Sequence, residues 1–160
     1  MKKNLKIYIA SDHAGYKVKE MLKDYFYKKK LNFTDIGPFV YIENDDYPDF
    51  AFKVAKIVAK NHVNRGVLIC GTGAGMAIAA NKVKGIRAVE AYNEYSAKMS
   101  RKDNDSNIVT LASRDLSFEK IKKIVNIWLK TEFSKEERHD RRIRKIMHYE
   151  REHYSTWNIK

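Results

Sequence analysis

The chain's only cysteine, Cys70, begins the run CGTGAG, in which Gly71, Gly73 and Gly75 take alternate positions. The apolar residues before it predict a strand that ends at the thiol, and a helix is predicted to begin near Gly73. Glycines permit positive φ angles and a close approach of backbone, and the first turn of a helix offers unpaired N–H groups to an anion. The loop is therefore a candidate anion-binding turn.

A thiol at this place could also do chemistry. The N-terminal end of a helix lowers the pKa of a cysteine from ~8.5, and the thiolate can act as a nucleophile or as the base that removes a proton from carbon. The neighbouring amides could then stabilise an oxyanion beside Cys70. The competing interpretation is a small buried hydrophobic residue, which is the usual place of a lone cysteine.

The same glycines permit a nucleotide-binding interpretation. The dinucleotide fingerprint is Gly-x-Gly-x-x-Gly, but here the third glycine comes one residue early, at Gly75, and Met76 takes its expected place. Glu90, at the end of the next predicted strand, would suit a ribose hydroxyl and keeps this alternative open. The phosphate-loop pattern fails because no Lys-Ser or Lys-Thr pair follows the glycines.

Other polar residues fall where ligands bind in open α/β sheets. Asp12 and His13 follow the first predicted strand, so they are candidates for hydroxyl or anion contacts, although a structural histidine is the commoner case. Arg138 and Arg142 lie four residues apart on a predicted helix and so share one face. They form either ordinary surface charge or a phosphate clamp. No set of three or four residues has metal-ligand spacing, so we expect no metal.

These residues must be positioned by alternating strands and helices. The predicted strands are residues 5–11, 32–37, 65–70, 85–91 and 107–113. Helical patterns lie between them, which predicts an α/β fold with a five-stranded parallel sheet covered on both faces. One helix is expected from Pro48 to about Asn61, with Asp45, Asp46 and Asp49 as caps, and another begins after a Ser117 cap.

The last predicted helix, about 134–153, differs from the others. It begins with a Ser-x-x-Glu capping box formed by Ser134 and Glu137. Its apolar stripe is narrow and comprises Ile143, Ile146, Met147 and Tyr154. We expect this helix to pack on a neighbouring surface, such as that of a partner subunit.

Composition limits the possible classes of protein. With 160 residues the chain fits a single domain, residues 1–160, and one cysteine cannot form an internal disulfide. The absence of a long apolar run and of an apolar N-terminal region predicts a cytoplasmic protein without a membrane partner. The net charge of +12 suits a nucleic acid, an anionic surface or a phosphorylated small molecule, but the basic residues are interleaved with acids, which favours a solvated surface.

The segments SDHAG, DYPD, ICGTGAGMAIAANKVKGIRA and SRKDNDSN, taken together, resemble the ribose 5-phosphate isomerase B family, which includes galactose 6-phosphate and allose 6-phosphate isomerases. The resemblance covers residue 5 to about residue 146. It implies a Rossmann-like three-layer αβα sandwich and an aldose–ketose isomerisation through a cis-enediolate, with no metal or cofactor. It also implies a homodimer with shared active sites, or a dimer of such dimers, with a sugar phosphate rather than nucleic acid as its ligand.

The resemblance also implies roles for individual residues. Cys70 would be the base that carries a proton between C1 and C2, and Thr72 would move protons between the sugar oxygens. The enediolate would be held by the amides of Gly71, Gly73, Ala74 and Gly75. Sugar hydroxyls would be bound by Asp12 and Asn104, with Tyr47 nearby, and the phosphate by His13, Arg114, Arg138 and Arg142.

One residue departs from the family pattern. In the ribose 5-phosphate enzymes a histidine that opens the sugar ring usually precedes the Asn-Asp pair, but this chain has Asp103 there. Asp103 could accept the anomeric hydroxyl proton, although a carboxylate with an ordinary pKa of ~3.9 is a weak base, and it could equally be a solvated loop acid. The substitution leaves a six-carbon sugar phosphate open as substrate. A dinucleotide-dependent oxidoreductase and a nucleic-acid-binding protein are the remote alternatives.

Overall fold

The computed structural model describes residues 5–153, so Tyr154 of the predicted stripe lies outside the described part. Its strands are β1 (Lys6–Ser11), β2 (Phe33–Gly37), β3 (Asn64–Cys70), β4 (Ala88–Glu90) and β5 (Ile108–Ala112). Its helices are α1 (Tyr16–Lys28), α2 (Tyr47–Ala59), α3 (Ala74–Ala80), α4 (Glu94–Asn104), α5 (Phe118–Lys130) and α6 (Glu137–His153).

The five strands form one parallel sheet in the order β2-β1-β3-β5-β4. The central strand, β3, is buried along its whole length, as its continuous apolar run requires. β4 is shorter than predicted because the segment before it does not join the ladder. Gly85 there has a φ of 81°, and the N–H of Arg87 donates to the side chain of Asn107.

Helices cover both faces of this sheet, which confirms the three-layer αβα architecture. On one face the core contains Leu22 and Phe26 of α1 with Trp128 of α5. On the other it contains Val54 of α2 and Met76 of α3. Because successive side chains of a strand point to opposite faces, Cys70 belongs to the face that α2 and α3 cover.

Two helices begin where the sequence predicts, and a third does not. Ser117 caps α5, its hydroxyl accepting the Lys120 N–H at 3.4 Å, and Pro48 lies in the first turn of α2. The predicted capping box at Ser134 is wrong, since α6 begins at Glu137 rather than just after Ser134. The Ser134 hydroxyl instead lies 2.8 Å from Nδ1 of the buried His139, which needs a polar partner.

Helix α6 buries only part of its apolar stripe against the rest of the chain. Ile143 is buried, whereas 48% of Ile146 and 43% of Met147 are exposed. The buried carboxylate of Glu150 accepts the Gly85 N–H at 3.0 Å and fixes the far end of the helix beneath the turn before β4. The helix is thus anchored at one face and leaves an apolar strip uncovered in the single chain.

Candidate active site

Cys70 is the last residue of β3 and is 4% exposed. Its sulfur accepts the Gly73 N–H at 3.1 Å, which is possible because Gly73 has a φ of 88° that turns its amide back toward the strand end. A side-chain-bearing residue rarely adopts that conformation. The loop therefore supplies a backbone hydrogen-bond donor to the sulfur of Cys70.

Two large side chains, those of Arg114 and Tyr47, pack against the glycine loop. A Cβ atom on Gly71 would lie 3.2 Å from the guanidinium carbon of Arg114, and one on Gly75 would lie 2.8 Å from the ring of Tyr47. Glycine at these positions lets a cation and a phenol approach the backbone of the loop. Glu90, which the nucleotide interpretation assigned to a ribose, packs its side chain against Gly73 instead.

The loops after β1, β3 and β5 are tied together at this edge of the sheet. The Ser113 hydroxyl lies 2.8 Å from the carbonyl oxygen of Ala14 and 2.9 Å from that of Cys70. Gly15 sits so close to β3 that a Cβ on it would lie 2.3 Å from the carbonyl oxygen of Ile69. This packing places Asp12 and His13 beside the thiol loop.

Asp12 and His13 are held by different partners. Asp12 is 5% exposed, and its Oδ1 accepts the Gly15 N–H at 2.9 Å. His13 meets Asp45, whose Oδ1 lies 2.8 Å from the His13 backbone nitrogen and 2.9 Å from its ring Nδ1. Asp45, which was expected to cap α2, therefore belongs to this site.

Burial raises the pKa of the Asp12 carboxyl above its ordinary 3.8, and the negative charge of Asp45 acts in the same direction. The Gly15 hydrogen bond and His13 oppose this increase without cancelling it. Burial has removed most of the water from this carboxyl group and left it one fixed hydrogen bond, from Gly15. The group is therefore suited to accept a further hydrogen bond from a hydroxyl of a bound ligand.

The remaining predicted residues lie elsewhere. Asn104 is the last residue of α4, and its carbonyl oxygen accepts from Arg87 at 2.9 Å, just before β4 begins. Asp103 is 38% exposed at its side chain, and its Oδ1 lies 3.7 Å from Nδ1 of His139. Arg138 and Arg142 are exposed on α6 on either side of that histidine.

The structure thus gathers the predicted residues into two groups. The thiol cluster comprises Asp12, His13, Tyr47, Cys70, Gly71, Thr72, Gly73, Ala74, Gly75 and Arg114. The arginine cluster comprises Asp103, Asn104, Arg138 and Arg142, together with His139. The first lies at the carboxyl ends of the strands and the second at their amino ends. The length of a seven-residue strand, about 20 Å at ~3.3 Å per residue, separates them in one chain.

Sequence reasoning missed two residues of these clusters, Asp45 and His139, each because its local sequence suggests another role. Asp45 is 32 residues from His13 in sequence, and its neighbourhood reads as a helix start. His139 stands in a strongly charged helix that predicts solvent exposure, yet it is 3% exposed. The sequence signal that could have identified them is a titratable residue close to a predicted site residue: Asp45 lies two residues before Tyr47, and His139 follows Arg138.

Residues 5–153 contain neither a cluster of metal ligands nor a membrane-spanning helix. No three His, Cys, Asp or Glu side chains there stand close enough together to hold a metal ion. Each helix of that range is also too short or too polar to cross a membrane.

The sequence matches a known protein family and named members of it. The family model described as Ribose/Galactose Isomerase matches residues 7–146. A protein of Mycoplasma genitalium named probable ribose-5-phosphate isomerase B is 45% identical over 147 residues, which cover 91% of this chain and 96% of the relative. The D-erythrulose-4-phosphate isomerase of Pectobacterium atrosepticum is 40% identical over 129 residues, 81% of this chain and 85% of that protein.

A solved structure is similar over nearly the whole described chain. The crystal structure of ribose-5-phosphate isomerase B from Mycoplasma genitalium with bound ribulose-5-phosphate superposes with a TM-score of 0.90 at 44% sequence identity. The similarity covers 93% of this chain and 98% of that structure. The chain therefore belongs to the ribose/galactose isomerase family.

Proposed function

We propose that this protein is an aldose–ketose isomerase that interconverts D-ribose 5-phosphate and D-ribulose 5-phosphate through a cis-enediolate. The observation that carries the proposal is the buried Cys70 sulfur, 3.1 Å from the Gly73 amide in a loop of backbone donors. The ribulose-5-phosphate named in the Mycoplasma genitalium structure supports this choice of substrate.

The chemistry follows from the thiol cluster. The Cys70 thiolate removes the proton from C2 of the open aldose, the electron pair forms the C1–C2 double bond, and O1 becomes an oxyanion. The loop amides stabilise that oxyanion more than they stabilise the bound sugar, which is what lowers the barrier. Thr72 carries a proton from O2 to O1, and the Cys70 thiol returns its proton to C1 to give the ketose.

Substrate contacts come from both clusters in this proposal. Asp12 and Asn104 bind sugar hydroxyls beside Tyr47, and the phosphate is taken by His13, Arg114, Arg138 and Arg142. Because the arginine cluster lies at the opposite end of the sheet from Cys70, one chain alone supplies only part of these contacts. We therefore propose a homodimer in which the arginine cluster of each subunit completes the thiol cluster of the other.

The uncovered strip of α6 is consistent with that assembly. Ile146 and Met147 expose apolar surface close to the arginine cluster, and burial of such surface against a second subunit favours association. This proposal treats the chain as one domain that acts without a cofactor. An unpaired cysteine as base further suits a reducing compartment such as the cytoplasm.

The decisive experiment follows ketose formation from ribose 5-phosphate by purified protein in the presence of a chelator. We expect turnover, and we expect Cys70→Ala to lower kcat by at least about 10³-fold, since it removes the base that attacks carbon. Cys70→Ala should keep the wild-type melting temperature within a few degrees, because the thiol is small and sits at a strand end. Undiminished turnover by this variant would refute the mechanism.

A second substrate remains a specific candidate because Asp103 replaces the usual ring-opening histidine and because one relative is named for a four-carbon sugar phosphate. The same assay is run with allose 6-phosphate, galactose 6-phosphate and D-erythrulose 4-phosphate. A kcat/KM for any of these that exceeds the value for ribose 5-phosphate would reassign the substrate and leave the isomerase chemistry intact.

A further inference from the structure

One carboxylate oxygen of Asp45 contacts both the backbone nitrogen and the imidazole ring of His13. Oδ1 accepts the His13 backbone N–H at 2.8 Å and lies 2.9 Å from the ring Nδ1. The side chain of Asp45 is 5% exposed, whereas that of His13 is 32% exposed and open to a ligand. Asp45 thus contacts the buried side of the histidine and leaves the exposed part of the ring accessible to a ligand.

This contact fixes which ring nitrogen carries the proton. An ionised carboxylate can only accept hydrogen bonds, so Nδ1 must bear the hydrogen that points to Asp45. Nε2 is then the nitrogen available to a ligand. Asp12, the other nearby carboxylate, is engaged through its Oδ1 by the Gly15 N–H, so Asp45 is the carboxylate that orients His13.

The second oxygen of Asp45 indicates that this arrangement is costly. Oδ2 is buried and has no hydrogen-bond partner among residues 5–153. A buried carboxylate oxygen without a partner opposes folding, and an alanine or serine at position 45 would avoid that cost. A buried, half-satisfied carboxylate beside a partly exposed histidine is what one expects when the histidine must be oriented for a ligand.

We propose that Asp45 is a positioning residue that locks His13 with its proton on Nδ1 and so presents Nε2 to the phosphate of the substrate. This inference rests on the proposed function, in which His13 contacts the phosphate. It adds a residue to the site that lies on the loop before α2 and touches the substrate only through His13. The same principle operates where a carboxylate orients a metal-binding or catalytic histidine.

The test measures the tautomer and anion affinity separately from turnover. Full-length protein labelled with ¹⁵N-histidine is examined by NMR at about pH 8.5, two units above the ordinary histidine pKa of ~6.5. His13 is assigned by its loss in a His13→Asn variant. We expect a protonated Nδ1 in the wild type and a shift of the proton to Nε2 in Asp45→Ala.

Inorganic phosphate is then titrated into each protein. Loss of the orienting hydrogen bond in Asp45→Ala should raise the phosphate Kd and the KM for ribose 5-phosphate about tenfold, with kcat within about threefold of wild type. Asp45→Asn keeps the acceptor oxygen and should recover most of that affinity. Asp49→Asn, which removes an exposed carboxylate on α2, is the matched control and should change neither constant.

The outcomes separate this inference from the proposed function. A wild-type His13 without a proton on Nδ1, or an Asp45→Ala variant with unchanged phosphate Kd, would overturn the role of Asp45 even if turnover is normal. An Asn variant as weak as the Ala variant would also overturn it, because charge rather than the acceptor would then be responsible. If phosphate binds as expected but no sugar phosphate is isomerised, the proposed function fails and the positioning role stands.

Discussion

Asp103 and His139 form the least expected pair in the structure. The carboxylate oxygen lies 3.7 Å from Nδ1 of the histidine, which in turn lies 2.8 Å from the Ser134 hydroxyl. The chain therefore keeps an imidazole close to the position where the family resemblance led us to expect a ring-opening histidine, although on a different helix. In our proposal Asp103, partly exposed and next to Asn104, exchanges the proton of the anomeric hydroxyl.

Substrates that differ in ring formation can test this role. Ribose 5-phosphate closes a furanose ring, but a tetrose 4-phosphate cannot, because its 4-hydroxyl is esterified. Asp103→Asn should therefore lower kcat/KM for ribose 5-phosphate about 10²-fold, the usual contribution of a general acid or base. Its effect on D-erythrulose 4-phosphate should stay within about threefold. An equal loss on both sugars would mean that Asp103 has no part in ring opening.

The positions of candidate site residues were predictable from the sequence where a local motif carries them. The glycine run pointed to Cys70, and strand ends pointed to Asp12 and His13. The contact between His13 and Asp45 could not be predicted because it depends on how the loop after β2 folds back over β1. The same DDYPD segment would serve equally well as an ordinary set of helix caps.

The connection between α1 and β2 is held by a fully buried cation. Lys19 Nζ lies 2.9 Å from Asp35 Oδ2 and 2.6 Å from the carbonyl oxygen of Pro38, at the start of the loop that carries Asp45. Burial acts to raise the pKa of Asp35, but hydrogen bonds from Lys23 and Lys19 outweigh it and hold that pKa below its ordinary 3.8.

Lys19→Met should destabilise the fold by about 3 kcal/mol at neutral pH, since it leaves a buried carboxylate with one cation fewer. The ionised Asp35 contributes stability that is fully present above its unfolded pKa of 3.8 and is lost as the pH falls through the lower folded pKa. Urea denaturation from pH 7 to pH 3 should therefore show the gap between wild type and variant narrowing below about pH 3.8.

Lys17→Met, at an exposed position of the same helix, is the control and should change the free energy of unfolding by less than ~0.5 kcal/mol. A gap that stays constant across this pH range would show that Lys19 acts through packing of its aliphatic stem rather than through its charge.

At the scale of elements, the sequence predicted type and order better than boundaries. All five strands were located because β-branched and apolar runs mark buried parallel strands, as in β3. The false capping box at Ser134 illustrates the limit. The Ser-x-x-Glu pattern is present in the sequence, but the buried ring of His139 competes for the same hydroxyl, and a tertiary contact of that kind is invisible in the local sequence.

For the whole molecule, the proposed sharing of sites between two subunits predicts how mixed dimers behave. Cys70→Ala damages only the thiol cluster, and Arg142→Ala damages only the arginine cluster. In a dimer of the two variants, one site combines both defects and the other combines two intact clusters. Coexpression of the inactive variants at equal levels should therefore restore about a quarter of wild-type activity, since half of the dimers are mixed and half of their sites are intact.

The control pairs Cys70→Ala with Asp12→Asn, two changes in the same cluster, for which neither site of a mixed dimer is intact. Recovery in neither combination would mean that each chain forms a complete site alone. The separation of the clusters could not be deduced from sequence spacing. It follows from the direction of α4, which carries Asp103 and Asn104 from the carboxyl end of β4 back to the amino end of β5.

That separation has a kinetic consequence. In the proposed dimer, a folded subunit carries the base at one end of its sheet and the phosphate-binding cations at the other, too far apart to serve a single sugar. On that proposal catalysis requires an encounter between two subunits, and we expect the rate per subunit to fall on dilution below the dissociation constant of the pair. A separated monomer should be inactive without any inhibitor, and the amount of active enzyme should rise with the square of the subunit concentration in that dilute range.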